Sequence, residues 1–145
     1  MNQTSARNIV VTTDRSRLDL DMIHGFLTTS YWAWGIPREM VARSMESSLC
    51  FGAFDEGRQV GFARVISDRA TFAYICDVFA LESHRGNGVG KRLMAAIVSH
   101  PELQGLRRWT LFTRDAHGLY RQFGFGSPGH PERLMEAVDS DPYRA

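Results

Sequence analysis

The sequence predicts an α+β fold whose central sheet is mixed but mostly antiparallel and is flanked by helices. Three strand-like runs follow one another through short turns between residues 49 and 81, which is typical of an antiparallel meander. Helix-patterned stretches precede and follow this meander, and the elements take the order β-α-α-β-β-β-α-β-α-β. No internal repeat, low-complexity tract or linker interrupts the chain, so residues 1–145 are predicted to form a single domain.

The first third of the chain is predicted to contain one strand and two helices. β-branched residues indicate a strand over residues 9–13. Ser16 and Asp19 stand at capping-box spacing, and the apolar residues after them recur at helical intervals, which predicts a helix of roughly residues 17–29. A proline, which is favoured at the first position of a helix, opens a second helix of about residues 37–47.

The rest of the chain is predicted to alternate between strands and helices. The run that ends at Leu81 is apolar on both faces, so it is expected to be a central strand. A glycine-rich turn follows it, and the helix after that turn stops at His100. The predicted strands span residues 49–54, 60–67, 72–81, 107–113 and 133–138, and the predicted helices span residues 91–100 and 116–123.

Composition and charge exclude several classes of function. Hydrophobic residues make up 43% and charged residues 23% of the 145 residues, and the net charge of +1 predicts no general attraction to nucleic acid or to an anionic membrane. No uncharged run approaches the ~20 residues of a spanning helix, and residues 1–8 lack the apolar core of a signal peptide, so a cytoplasmic location is expected. The two cysteines, Cys50 and Cys76, fit no metal-ligand spacing, and no metal is expected.

The segment from Arg85 to Lys91 is the most informative stretch of the sequence. It reads Arg-Gly-Asn-Gly-Val-Gly-Lys, and its glycines allow successive backbone N–H groups to point into one concavity at the positive end of the next helix. A P-loop would need a glycine in place of Arg85 and a hydroxyl in place of Arg92, and a dinucleotide fingerprint would need a glycine in place of Leu93. The segment therefore predicts an anion-binding cradle of another kind.

The pattern that does fit is Arg-x-x-Gly-x-Gly, beginning at Arg85, and it resembles the pyrophosphate-binding motif of the GNAT N-acetyltransferase superfamily. Residues 76–81 are similar to the central strand of that family, and residues 119–125 are similar to its late Leu-Tyr…Gly-Phe segment. The two motifs occur in the family's order and about 35 residues apart, so the pair is far more specific than the first motif alone. The resemblance covers roughly residues 50–135 and implies the GNAT fold.

This resemblance implies that the chain uses acetyl-CoA. The glycine turn would hold the pyrophosphate through its backbone N–H groups, and the pantetheine arm would lie along the central strand like an added strand, where two strands splay apart. Thr113 stands where many family members have an asparagine. The implied cofactor-binding residues are Val78, Phe79, Ala80, Arg85, Gly86, Asn87, Gly88, Val89, Gly90, Lys91, Arg92 and Thr113.

Two proton transfers accompany acetyl transfer to an amine, and the sequence offers candidates for both. Tyr120 occupies the family's position for the acid that protonates the departing thiolate. Asp77 is the one charged side chain in an apolar strand, expected on the face shared by Ile75 and Phe79, and it is the leading candidate for the base or for binding the substrate ammonium. The competing interpretation is a structural carboxylate paired with an arginine such as Arg64. Further candidates for the base are Glu82, His84, His117 and a water relay.

Acceptor specificity is expected from residues 20–48, the least family-like part of the chain. Three aromatic residues there, Tyr31, Trp32 and Trp34, would either line an amine pocket or plug the end of the sheet. Asp115 is expected to be the N-cap of the short helix that carries the acid.

The sequence as a whole therefore predicts an N-acetyltransferase that acts on a primary amine by direct attack in a ternary complex, because no cysteine or serine stands at a nucleophile site. A small-molecule acceptor is preferred over a protein tail. A non-catalytic acyl-CoA-binding module is the alternative from a different class, and association into a homodimer is left open.

Overall fold

The computed structural model describes residues 8–143, which form a five-stranded sheet with helices against both faces. The expectation that the chain begins without a signal peptide falls on residues that lie mostly outside this range. Neighbouring strands are antiparallel except the last pair, which is parallel, and this confirms the predicted mixed, mostly antiparallel sheet. The strands, in their order across the sheet, are β1 (Ile9–Thr12), β2 (Leu49–Asp55), β3 (Arg58–Ser67), β4 (Phe72–Ala80) and β5 (Arg108–Leu111).

The helices pack in two layers. Side chains from the first two helices, including Ile23, Leu27 and Val41, bury one face of the sheet, and Leu93, Met94 and Ile97 of the third helix bury the other. Among residues 8–143 no helix combines the length and the apolarity needed to cross a membrane. The helices are α1 (Leu20–Leu27), α2 (Arg38–Glu46), α3 (Val89–Val98) and α4 (His117–Arg121).

The first helix begins three residues later than the sequence pattern predicts. Asp19 is its N-cap, because the Asp19 carboxylate accepts a hydrogen bond from the Met22 N–H at 3.1 Å. Residues 15–17 form a separate 3₁₀ turn, which Asp14 caps in the same way. Two successive caps therefore divide a stretch that its apolar spacing alone predicts to be one helix.

The final strand predicted at residues 133–138 does not form. A 3₁₀ turn at Pro131–Arg133 is followed by irregular backbone, and Leu134, Met135 and Val138 are 56%, 92% and 71% exposed. Leu134 and Met135 are adjacent, and adjacent residues of a strand point to opposite faces, so no pairing of this segment could bury both against one layer. The prediction was wrong because the apolar residues of this segment do not share one face.

A β-bulge in β4 separates side chains that the sequence pattern places together. The pairing of β3 with β4 shifts register between Phe62 and Arg64, and Asp77 takes a φ of +55° in the left-handed region. Because the bulge inserts one residue into the alternation, Ile75 belongs to the core on the α3 side and Phe79 to the core on the α1/α2 side. The expectation that Asp77 shares one face with both of them is therefore wrong.

The bulge coincides with the opening of the sheet. β5 pairs with β4 only through Phe72–Ile75, which lie opposite Arg108–Leu111. From the bulge to the end of β4 at Ala80, none of residues 8–143 pairs with the strand on the β5 side. A wedge therefore opens between the second half of β4 and the loop that follows β5.

Candidate active site

The glycine turn joins β4 to α3 and ends at the start of that helix. Gly86 and Gly88 have φ values of +82° and +79°, a region that favours glycine, and an added Cβ would meet no atom within 4 Å at either position. The N–H groups of residues 88–91 have no acceptor among the described residues, because the first bond of the helical turn runs from the Arg92 N–H to the Gly88 carbonyl. The turn therefore presents open amides to solvent rather than to protein.

The side chains around this turn carry positive charges, which a bound anion would neutralise. The first turn of α3 contains no acidic residue, although acidic residues are favoured at a positive helix end. It contains Lys91 and Arg92 instead, and Arg85 precedes it. One guanidinium nitrogen of Arg92 donates to the Ile9 carbonyl of β1 at 2.8 Å, whereas Arg85 and Lys91 have no side-chain partner among the described residues. Cations crowded at a helix N-terminus suit a phosphate group.

Two contacts fix the position of the cradle relative to the sheet. His84, which is 6% exposed, donates from Nε2 to Asp55 Oδ2 at 2.8 Å, and its Nδ1 shares a hydrogen bond of 2.8 Å with the Ser83 hydroxyl. On the other side, Val89 of α3 presses onto Gly61 of β3, where an added Cβ would lie 2.6 Å from Val89 Cγ1. With both ring nitrogens engaged, His84 holds the loop and has no free nitrogen for a substrate proton.

The wedge is the floor of a cleft of about 520 Å³. The second half of β4 contributes one side of it, and the region between α1 and α2 and the loop after β5 contribute the others. Three of the predicted cofactor-binding residues of β4 and Arg85 of the cradle lie in its lining. The lining residues are Phe26, Thr29, Ser30, Tyr31, Trp32, Val78, Phe79, Ala80, Arg85, Arg114 and Asp115.

Aromatic rings form the wall of the cleft on the α1 side. Phe26 stacks on Phe79 with ring centroids 3.9 Å apart and planes at 4°, and Tyr31 meets Trp32 edge to face at 5.1 Å. The structure thus brings two of the three predicted substrate-binding aromatics into the cleft. Trp34 is 71% exposed and does not line it.

Asp77 lies beneath this wall, held by two partners. Its Oδ2 accepts from Arg64 Nε at 2.9 Å, with the two side chains 11% and 15% exposed, and its Oδ1 accepts from Trp32 Nε1 at 2.9 Å. Arg64 also donates to the Ser48 hydroxyl at 3.0 Å. The ion pair is the arrangement that the structural interpretation of Asp77 predicts, and the link to Trp32 is a contact that the sequence did not indicate.

Tyr120 lies in α4 with its side chain 8% exposed, against Phe125 at a centroid distance of 6.3 Å. Burial first, and then the phenol of Tyr31 and the carboxylate of Asp115, raise the pKa of Tyr120 to about 12. The hydroxyl has no hydrogen-bond partner among the described residues, and no fully buried side-chain nitrogen or oxygen there lacks a partner, so this hydroxyl is not sealed from solvent. The group is a protonated phenol with a free donor, although Tyr120 itself is not among the residues that line the cleft.

The loop between β5 and α4 differs from expectation in its capping. Asp115 is not the N-cap of α4: Ala116 takes that position, and its N–H donates to the Thr113 hydroxyl at 3.0 Å. The Thr113 hydroxyl thus binds the N-cap residue itself, the first turn of α4 has no side-chain cap, and the Asp115 side chain faces the cleft instead. Thr113 is half-buried in this turn.

Neither cysteine is placed as a nucleophile. Burial is the main cause that raises the pKa of the Cys76 thiol to about 12, and burial also raises that of Cys50. The remaining candidates for the base, Glu82 and His117, are exposed and lie outside the cleft lining.

Sequence reasoning missed Phe26, Arg114 and Asp115 as parts of the cleft wall. Phe26 is one of the apolar residues that recur at helical intervals after Asp19, a pattern that predicts only packing on the sheet, and its ring does stack on Phe79 of β4. Arg114 and Asp115 stand next to Thr113, and their position after a strand that ends beside the wedge is the one signal that could have singled them out.

Comparison with known proteins gives consistent matches. Residues 19–125 match the model of the Acetyltransferase (GNAT) family. The chain is 31% identical over 134 residues to FG08082 of Gibberella zeae, a candidate acetyltransferase, with 77% of this chain and 75% of that protein covered.

Solved structures give the same picture. A crystal structure of a candidate GNAT acetyltransferase from Xanthomonas campestris superposes with a TM-score of 0.92 at 52% identity, covering 95% of this chain and 98% of that one. A candidate acetyltransferase from Clostridium acetobutylicum, solved with acetyl-CoA, superposes with a TM-score of 0.64 at 14% identity, covering 90% of this chain and 95% of that one, and shows a likeness of fold alone.

Proposed function

Because the chain belongs to the GNAT acetyltransferase family, we propose that it transfers an acetyl group from acetyl-CoA to the primary amine of a small-molecule acceptor. The observation that carries this proposal is the alignment of two features of the backbone: open amides at the start of α3, and the unpaired half of β4 that leads directly to them. The open amides suit a pyrophosphate group, and the unpaired half of β4 suits an extended chain with amide groups, such as the pantetheine arm of CoA.

The residues present fit such a ligand without rearrangement. Gly88 and Gly86 leave open space where side chains would stand, and Lys91 and Arg85 have no competing side-chain partner among the described residues. The backbone of residues 78–80 lies in the cleft lining, where an extended chain could take the place of the missing neighbour strand. When bound, acetyl-CoA would supply the activated acetyl group.

In the proposed reaction the acceptor ammonium loses one proton to solvent, the neutral nitrogen bonds to the acetyl carbon, and the carbon–sulfur bond breaks. The nitrogen then loses a second proton to solvent and keeps one as the amide N–H. Tyr120 donates its hydrogen bond, and then its proton, to the sulfur as negative charge develops there, and is reprotonated from solvent. Its raised pKa keeps the phenol protonated across the physiological range. The direct route agrees with the state of the two thiols, because Cys50 is buried, Cys76 is half-buried, and burial raises the pKa of both.

We assign Asp77 a positioning role in this reaction instead of that of the base. Its two carboxylate oxygens already accept hydrogen bonds from Arg64 and Trp32, and the second of these holds the Trp32 ring in the cleft wall. Proton removal from the amine is then left to solvent that reaches the cleft.

The test is binding of CoA by calorimetry together with release of free thiol from acetyl-CoA in the presence of a panel of small amines. Gly88→Glu should abolish CoA binding, because it places bulk and negative charge among the open amides. Gly105→Glu is the matched control, since Gly105 also has a positive φ of +74° and open space around it but lies in the loop before β5. Equal CoA affinity in both variants and in the wild type would refute the cofactor assignment.

A further inference from the structure

Arg114 and Asp115 form a charge pair in the lining of the cleft that the proposed cofactor does not account for. Both are loop residues between β5 and α4, and both line the cleft opposite the second half of β4. The third charged residue of the lining, Arg85, belongs to the glycine turn. Arg114 and Asp115 are therefore the charges that remain for the acceptor.

Arg114 is held in a fixed orientation although it is largely exposed. Its guanidinium carbon lies 3.9 Å from the centre of the Tyr31 ring, and its backbone N–H donates to the Tyr31 hydroxyl at 3.3 Å. A guanidinium held over the face of a ring still has N–H groups that can bind a planar anion. The edge of Arg114 makes one side-chain contact among the described residues, to Asp115.

That contact is long. Arg114 Nη2 and Asp115 Oδ2 are 3.5 Å apart, and the two side chains are 63% and 69% exposed. An exposed pair with such geometry contributes little stability, so neither charge is committed to the fold. Asp115 is also free of capping, because the N–H of Ala116 is bonded to Thr113.

We propose that the acceptor is an amino acid with an apolar or aromatic side chain, whose carboxylate binds Arg114 and whose amino group lies beside Asp115. The proposal rests on the proposed function and specifies its substrate class. Adjacent positive and negative side chains complement the adjacent carboxylate and ammonium of a zwitterion. On binding, the one long contact between Arg114 and Asp115 would be replaced by charge-assisted hydrogen bonds from each side chain to the ligand. The rings of Phe26 and Trp32 line the same cleft and give an apolar surface for the side chain.

The position of the pair also suits a reacting amine. The carboxylate of Asp115 and the phenol of Tyr31 both contribute to raising the pKa of Tyr120, so these two groups act electrostatically on the proposed acid. An amino group held at Asp115 would thus be bound by a carboxylate that also acts on the proposed acid.

The experiment compares two ligands that differ only in the carboxylate. Wild-type protein saturated with CoA is titrated by calorimetry with L-phenylalanine and, separately, with phenethylamine. L-phenylalanine should bind on the order of tenfold more tightly, the lower end of the range for hydrogen bonds to charged groups, because Arg114 is partly solvated. Arg114→Gln should remove this difference, and Asp115→Asn should weaken both ligands, since both carry an ammonium group.

Arg133→Gln is the matched control, because Arg133 is also exposed, at 73%, and also contacts a neighbouring carboxylate, and it should keep the tenfold preference. Equal affinity of the wild type for the two ligands, or no binding of either, overturns the acceptor assignment while CoA binding preserves the proposed function. Weaker CoA binding in Arg114→Gln would overturn it as well, because Arg114 would then serve the cofactor. Failure of the wild type to bind CoA would remove the proposed function itself.

Discussion

Replacing Asp77 with asparagine should lower the melting temperature by about 10 °C and leave most of the turnover in place. Asparagine is nearly isosteric, tolerates the φ of +55° that Asp77 adopts, and retains a side-chain oxygen for Trp32 Nε1. The substitution therefore removes one charge and little else. What it leaves is the guanidinium of Arg64, 15% exposed and without its carboxylate.

The magnitude follows from that burial. Removing one partner of a buried ion pair costs about 3–5 kcal/mol, and the lower value applies here because Arg64 keeps its bond to Ser48 and some contact with water. For a domain of this size, each kcal/mol shifts the melting temperature by about 3–4 °C. Asp21→Asn is the matched control: Asp21 pairs with Arg38 at 2.6 Å, but the two side chains are 81% and 55% exposed, and the loss should stay below about 1 kcal/mol.

The assay pairs thermal unfolding with steady-state thiol release for the same three proteins. If Asp77 acts by holding Trp32, asparagine keeps that hydrogen bond, so KM for the amine should change by less than several-fold and kcat should fall by less than tenfold. Loss of a general base would instead cost about 10²–10⁴-fold in kcat. An unchanged melting temperature together with such a loss of kcat would refute the positioning role and restore Asp77 as the base.

Three further outcomes are expected. Tyr120→Phe should lower kcat by about 10²-fold with unchanged CoA affinity by calorimetry, and an intact rate would mean that another group protonates the sulfur. The pKa of Tyr120 is raised from about 10 in the unfolded chain to about 12 in the folded protein, so the contribution of Tyr120 to the stability of the fold is complete below pH 10 and is lost between pH 10 and 12. Alkaline denaturation should therefore be shallower in Tyr120→Phe than in the wild type. Identical denaturation curves for the two proteins would contradict the burial that raises this pKa. Gly61→Ala should destabilise the fold by about 1–3 kcal/mol in denaturant titrations and weaken CoA binding, because its Cβ would strike Val89 at the start of α3. The control is Gly25→Ala, which lies in open space within α1 and should stabilise the fold by up to about 1 kcal/mol.

The parts of the fold that the sequence predicted are those with local causes. Turn residues and a change of period mark the meander of β2, β3 and β4, and the glycine turn is recognisable because open backbone conformations at Gly86 and Gly88 need glycine itself. The candidate cofactor cradle is for the same reason the most predictable part of the site. It depends on consecutive residues and not on which distant elements meet.

The acceptor side could not be predicted in this way, because its residues come from three separated segments. Tyr31 was singled out as an aromatic residue, but its role under the guanidinium of Arg114 depends on a contact across 83 positions of the chain. Likewise, the partner of Asp77 was suggested only as an arginine such as Arg64, while the bond to Trp32 needs the loop after α1 to fold over β4. Contacts of this kind between distant residues can be identified only when the packing of the helices on the sheet is known.

One irregularity of the backbone accounts for most of what the pattern missed. The extra residue at Asp77 turns its carboxylate toward Arg64 and Trp32, and it puts Ile75 and Phe79 on opposite faces. Pairing with β5 ends just before it, so the same stretch of β4 that loses its alternation also loses its neighbour and becomes available to a ligand. A strict alternation of inward and outward residues would have given a closed and better paired sheet. It follows that the cleft opens at the place where the strand pattern fails. The charged side chain of Asp77 is suited to this place because its ion pair with Arg64 stabilises the bulge.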